Sequence, residues 1–201
     1  MQSRPTLRLV TPPADMPVTL DEVKKHLRLE SSDDDDLVEG LVGAAVDLID
    51  GKGGYLFRCV MPQAWAIAID GGFPSCRQGG DDRIVLPLGP VTGIASIVYV
   101  DAAGVTQTLD PSQYDFFEAD GLDDAYVRPV FGATWPVTRA QPRAVTVTFD
   151  AGYAAGTVPA GIRAALMLMI AQLYLQRDED GAFEITGTVA ALLTKYRRVA
   201  V

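Results

Sequence analysis

The feature that most constrains this chain is a hydrophobic period that changes twice along its length. Early on, Leu37, Val38, Leu41, Val42, Ala45, Val46, Leu48 and Ile49 recur at spacings of three and four, which places them on one broad helix face. From about Tyr55 to Tyr153 the period falls to two, clearest in Trp65-Ala66-Ile67-Ala68-Ile69, Arg83-Ile84-Val85-Leu86, residues 94–100 and residues 144–149. Helical spacing returns after Pro159 with Ile162, Ala165, Leu166, Met169, Ile170, Leu173 and Tyr174. This order predicts an α+β fold: a small helical core of two N-terminal helices and one long C-terminal helix, an inserted, mainly antiparallel β module, and an extended C-terminal tail. The segments are 1–54 for an arm and the first helices, 55–157 for the β module, 158–181 for the core helix and 182–201 for the tail.

Local signals set several boundaries. Residues 11–17 are proline-rich and read as an extended arm. Thr19 followed by Glu22 is a capping box at the start of a short helix through Leu29. The run Asp33-Asp34-Asp35-Asp36 opens the next helix, where carboxylates meet the positive end of the helix dipole, and Gly51-Lys52-Gly53-Gly54 closes it. Asp101-Ala102-Ala103-Gly104 reads as a hairpin loop, while residues 114–117 and 125–130 are weaker strand candidates. Met167 and Leu168 widen the last helix's apolar face and predict burial on more than one side.

Composition and motif search remove functions rather than supply one. A net charge of -9 opposes gripping nucleic acid, since phosphate binding is driven by Lys and Arg. His26 is the one histidine, so a histidine triad or a His-rich zinc site would have to be built around it; packing or capping on its basic helix is the reading favoured. Cys59 and Cys76 have no metal spacing and read as small apolar residues. The consecutive carboxylates 33–36 lack the alternation of a calcium loop, and the 51–54 glycines close a helix instead of opening one as a phosphate loop does. Trp65, Trp135, Tyr99, Tyr114 and Tyr153 lack the basic setting needed to stack bases. No catalytic, cofactor or metal residue is therefore assigned. The N-terminus has no apolar signal region, and residues 158–175 are interrupted by Pro159, Gly161, Arg163 and Gln172, so neither export nor membrane insertion is expected.

The positive reading comes from an ordered set of segments. Pro17-Val18-Thr19-Leu20-Asp21-Glu22-Val23-Lys24-Lys25-His26-Leu27-Arg28, the 33–36 run, Leu86-Pro87-Leu88-Gly89-Pro90-Val91 and Ile97-Val98-Tyr99-Val100-Asp101 with Gly104 come first. Trp135-Pro136, Val145-Thr146-Val147, Gly152-Tyr153, Val158-Pro159, residues 164–174 with Arg177, and Leu192-Leu193 with Tyr196-Arg197 follow. In this order, over residues 17–198, the chain resembles the head–tail connector (adaptor) family of long-tailed phages, in its longer form with an inserted β module; gene transfer agents carry similar adaptors. The glycine-rich stretch 71–80, with Cys76, has no place in the pattern.

The resemblance implies a non-enzymatic virion protein without a cofactor, made in the bacterial cytoplasm and built into the particle neck. It implies a homo-oligomeric ring, usually a dodecamer, beneath the portal protein, with a stopper or tail-completion protein on the other side. Double-stranded DNA would pass through without sequence-specific binding. Leu37, Leu41, Leu48, Leu166, Met169 and Ile170 are the expected subunit interface, and Leu192, Leu193, Tyr196, Arg197 and Arg198 the expected portal-binding tail. Within the same class the alternative is a stopper or tail-completion protein; in another class it is a DNA-packaging accessory factor.

Overall fold

Period-two sequence becomes sheet. The computed structural model describes residues 5–74, 82–119, 124–176 and 183–198. Its strands are β1 (Thr6–Thr11), β2 (Gln63–Ile69), β3 (Ile84–Leu86), β4 (Val91–Val100), β5 (Thr106–Thr108), β6 (Tyr114–Phe117), β7 (Ala125–Pro129) and β8 (Val145–Ala151). They form a five-stranded sheet in the order β1-β2-β8-β4-β5 and a three-stranded sheet in the order β3-β7-β6. Every pairing is antiparallel. Both sheets belong to one unit, Met1–Pro12 with Pro62–Gly152.

Strand β8 shows why the pattern folds this way. Val145, Val147, Phe149 and Ala151 are buried, while Thr146 and Thr148 between them are half-buried and Asp150 is exposed. The registers Trp65↔Phe149 and Ile67↔Val147 on one side and Ile97↔Val147 on the other join three strands through buried apolar pairs. The Asp101 carboxylate accepts the backbone N–H groups of Ala103 and Val105, both at 2.9 Å, and Gly104 takes φ +88° to close the β4–β5 hairpin. Leu86-Pro87-Leu88-Gly89-Pro90-Val91 leads from β3 to β4, with Leu88 fully buried at φ 66° and the Pro90 carbonyl accepting Gly152 N–H at 2.8 Å.

Strand β1 is a departure from expectation: residues 6–11 belong with the sheets and not with the first helices, because Leu7 and Leu9 pair with Ile67 and Trp65 along the edge of β2. Thr11 pairs with Ala64 and Gln63 with Ala151, so β1 ends, β2 begins and β8 ends at the same end of the sheet.

The second unit, Pro13–Met61 with Tyr153–Val201, is helical. It contains α1 (Leu20–Leu27), α2 (Asp35–Ile49), α3 (Ala160–Leu175) and α4 (Gly187–Thr194). The expected capping box is present: Thr19 Oγ1 accepts Glu22 N–H at 3.2 Å and Glu22 Oε2 accepts Thr19 N–H at 3.0 Å. Helix α2 ends at Ile49, and Gly51 follows at φ +67°. Val38, Val42, Ala45, Val46 and Ile49 from α2 meet Ile162, Ala165, Leu166, Met169 and Ile170 from α3 in one core. Helix α3 buries Ile162, Ala165, Leu166, Met169 and Ile170 in its own core, with Met167, Leu173 and Tyr174 partly buried beside them, and leaves Leu168 and Leu175 exposed.

The C-terminal tail corrects a second expectation. It is not extended across residues 187–194, which form α4, with Val189 and Leu193 four residues apart and buried in the same core. Four residues on from its last turn, Arg198 N–H donates to the Leu56 carbonyl at 2.9 Å. Cys76, Arg177 and the acidic residues 178–180 lie outside the described residues.

Candidate assembly surface

The described residues place the candidates for chemistry one by one. No group of three or more His, Cys, Asp or Glu among them comes together to hold an ion. The 33–36 carboxylates point to different partners: Asp34 accepts the Tyr174 hydroxyl at 2.5 Å and Asp35 pairs with Lys24 at 2.6 Å. His26 is exposed on α1 and Cys59 is buried. Trp135 stacks on Phe73 at 4.6 Å and donates its indole N–H to the Asp82 carbonyl at 2.7 Å, so its ring is already used within the sheet unit. No helix of the described residues is long and apolar enough to cross a membrane.

What the helical unit offers is surface. Leu37 and Leu48 of α2 are 39% and 37% exposed, and Leu41 between them is partly buried against the core. On α3, Leu168 is 38% and Leu175 80% exposed, two turns apart on one side. Leu166, Met169 and Ile170, expected at a subunit interface, are instead fully buried within the chain's own core. They share one core with Val38, Val42, Ala45, Val46 and Ile49 of α2 and Val189 and Leu193 of α4.

The expected tail residues are also docked on their own unit. Leu193 is fully buried, while Leu192 and Tyr196 pack against the core. The Tyr196 ring packs tightly over Gly161, 3.0 Å from where a Cβ would sit, so a larger residue there would push the ring by a few tenths of an ångström. Arg58 donates to the Tyr196 carbonyl at 3.0 Å and to the Tyr153 hydroxyl at 3.4 Å. The Arg197 guanidinium sits over the Tyr55 ring at 4.5 Å and Lys195 over Tyr196 at 4.7 Å. Burial, and then the neighbouring Arg58 charge, lower the Arg198 pKa. The tail therefore ends in a compact basic cluster on an otherwise acidic protein.

A groove that sequence reasoning missed lies in the same unit, with a volume of about 660 Å³. Its apolar lining includes Met16, Val18, Leu20, Val42, Met61 and Val158, drawn from the proline-rich arm, α1, α2, the segment between α2 and β2, and the loop before α3. Asp15, Glu22 and Glu39 add carboxylates, and Arg163, its single basic residue, is ion-paired with Glu22. The backbone N–H of Thr19 is the largest influence lowering the Glu22 pKa, with the Arg163 contact adding to it. These lining residues come from separated stretches, so no local motif marks them.

The model of the phage gp6-like head-tail connector protein family matches residues 17–78. No curated protein matches the chain. Among solved structures, a chain from the neck of an empty GTA particle computed with C6 symmetry superposes with a TM-score of 0.75 at 22% identity, covering 98% of this chain and 97% of that one. The fold is that of this neck chain. A chain of the virion of the native gene transfer agent particle gives 0.71 at 21% identity, covering 97% and 96%. One from the neck of the native GTA particle computed with C12 symmetry gives 0.67 at 19%, covering 98% and 97%.

Proposed function

We propose that this chain is a structural adaptor of the neck of a tailed phage or gene transfer agent particle. Copies form a ring beneath the portal and join the DNA-filled head to the tail. The observation that carries this reading is the near-complete coverage, 98% of this chain, by the fold of a chain from a GTA particle neck. The family match over 17–78 supports it from sequence, and those residues span the capping box, α1 and α2.

The work is geometric: a ring subunit presents two different surfaces that meet after a fixed rotation. The exposed leucines Leu37 and Leu48 of α2, with Leu41 beside them, and Leu168 and Leu175 of α3 suit that role. The likeness to a chain from a neck with C12 symmetry supports twelve copies. The basic cluster Lys195, Arg197 and Arg198 is the portal-facing element, and a stopper or tail-completion protein takes the opposite side. An acidic protein, net -9, lets DNA pass without holding it.

Removing the chain from the producing cell tests this. DNA-filled heads and separate tails are expected by electron microscopy, and intact tailed particles would overturn the reading. Arg197→Glu, an exposed substitution, should leave a folded chain that loses portal binding; retained binding would remove the tail from the portal contact.

A further inference from the structure

Residues 51–58, between α2 and β2, form a loop braced against the end of α2. Tyr55 and Leu56 donate their backbone N–H groups to the carbonyls of Leu48 and Ile49 at 2.9 and 3.1 Å, and the Arg58 carbonyl accepts Gly51 N–H at 2.9 Å. The C-terminal tail is fastened to this loop at three successive residues. Arg58 holds the Tyr196 carbonyl, the Tyr55 ring carries the Arg197 guanidinium, and the Leu56 carbonyl accepts Arg198 N–H. Releasing the tail would break all three contacts, and freeing α4 with it would uncover Val189 and Leu193, which are buried in the helical core. A surface held in this way loses little conformational entropy when a partner settles on it.

Loop and tail together present Tyr55, Arg58, Lys195, Tyr196, Arg197 and Arg198, and arginine and tyrosine are the residue types on which interfaces rely. Lys52 adds a further cation on the loop. The carboxylates of the adjoining end of α2 are Asp47 and Asp50, and Asp50 already accepts Val60 N–H at 2.6 Å; Glu184 precedes the opposite end of α4. The surface therefore stays positive on a chain of net charge -9. Burial, and then the Arg58 charge, lower the Arg198 pKa, so these two guanidinium groups feel each other and a carboxylate beside them would relieve both. Stacked on Tyr55, the exposed Arg197 guanidinium keeps its N–H edges for such an acceptor.

We propose that the tail meets the portal in this docked form, with residues 55–58 and 195–198 acting as one surface that takes a carboxylate-bearing segment of the portal protein. The contact rests on the portal reading of the tail given above, and adds that half of it comes from the loop after α2. A tail that left its unit and entered the portal as an extended strand would use neither Tyr55 nor Arg58.

The test measures binding of the full chain to purified portal of the same particle, with ellipticity melts to certify that each variant is folded. Tyr55→Ala removes the ring beneath Arg197 while keeping every tail residue, and should weaken binding about tenfold. Tyr55→Phe, which restores the ring, should recover most of that loss. Arg58→Met should weaken binding in the same direction. Raising NaCl from about 50 to about 500 mM should weaken the parent complex at least about tenfold, as expected for a charged contact. Amide exchange across residues 187–198 should not quicken when portal binds. Parent affinity in both Tyr55→Ala and Arg58→Met, or faster exchange at 187–198 in the complex, overturns the docked surface and leaves the portal reading standing if Arg197→Glu still abolishes binding. Binding that also survives Arg197→Glu overturns both, and binding indifferent to salt overturns the carboxylate-bearing partner.

Discussion

The sheet unit and the helical unit bury apolar residues by different means, and they meet the chain differently. The sheet unit is nearly continuous, Pro62–Gly152 with one added edge strand. Its core follows from alternation along each strand, so a short window of sequence already states which residues point inward. The helical unit joins Pro13–Met61 to Tyr153–Val201 across the entire sheet unit. Its core therefore depends on contacts between α2 and α3 that are remote in sequence and costly to close. One unit is locally specified; the other is completed only when its two halves find each other.

Both tryptophans, Trp65 and Trp135, lie in the sheet unit, while the four α-helices of the described residues lie in the other, so indole emission and the 222 nm ellipticity report mainly on one unit each. Leu166→Asp places a charge in the fully buried helical core and should cost more than about 4 kcal/mol. Ellipticity should fall while tryptophan emission stays native; a simultaneous loss of both would break the comparison. Phe149→Ala removes a fully buried ring from β8 and should cost about 3–5 kcal/mol. Here the emission transition should move first on heating. Tyr174→Phe deletes the hydroxyl that Asp34 accepts, linking the end of α3 to the start of α2, and should cost about 1–2 kcal/mol in denaturant midpoint measurements. Thr19→Ala removes the α1 cap at about 1 kcal/mol, detectable as a lower thermal midpoint by ellipticity alone.

The cap also has a pH signature. Glu22 has a folded-state pKa below its ordinary 4.5, so its contribution is complete above that value and is lost as pH falls through the lower, folded value. Titrating the thermal midpoint of Glu22→Gln against the parent chain should show the two curves converging in acid. A constant difference at every pH would assign the effect to something other than the carboxylate.

These contrasts explain what could be read in advance. The Thr19/Glu22 box, the Asp101/Gly104 hairpin and the inward residues of β8 were legible because each is decided within a few neighbours. Strand β1 was not, because its residues are mostly exposed and only pairing with the distant β2 makes them a strand. Helix α4 escaped for a similar reason: Val189 and Leu193 offer only one helical turn of pattern until α3 supplies the surface beneath them. The interface expectation failed at Leu166, Met169 and Ile170 because periodicity marks an apolar face without saying which wall covers it. The groove, assembled from the arm, α1, α2, the segment between α2 and β2, and the loop before α3, carries no local signal at all.

The shared end of β1, β2 and β8 has a mechanical consequence. The chain passes between its two units at Pro12, at Met61 and at Gly152, and each of these points adjoins the same end of three adjacent strands. A pull on those links draws β1, β2 and β8 in one direction together, so they do not slide past one another and their ladders carry no shear. The tension is passed instead along the β8–β4 ladder, which runs from Val91↔Ala151 to Tyr99↔Val145 with two register shifts near its Val91 end.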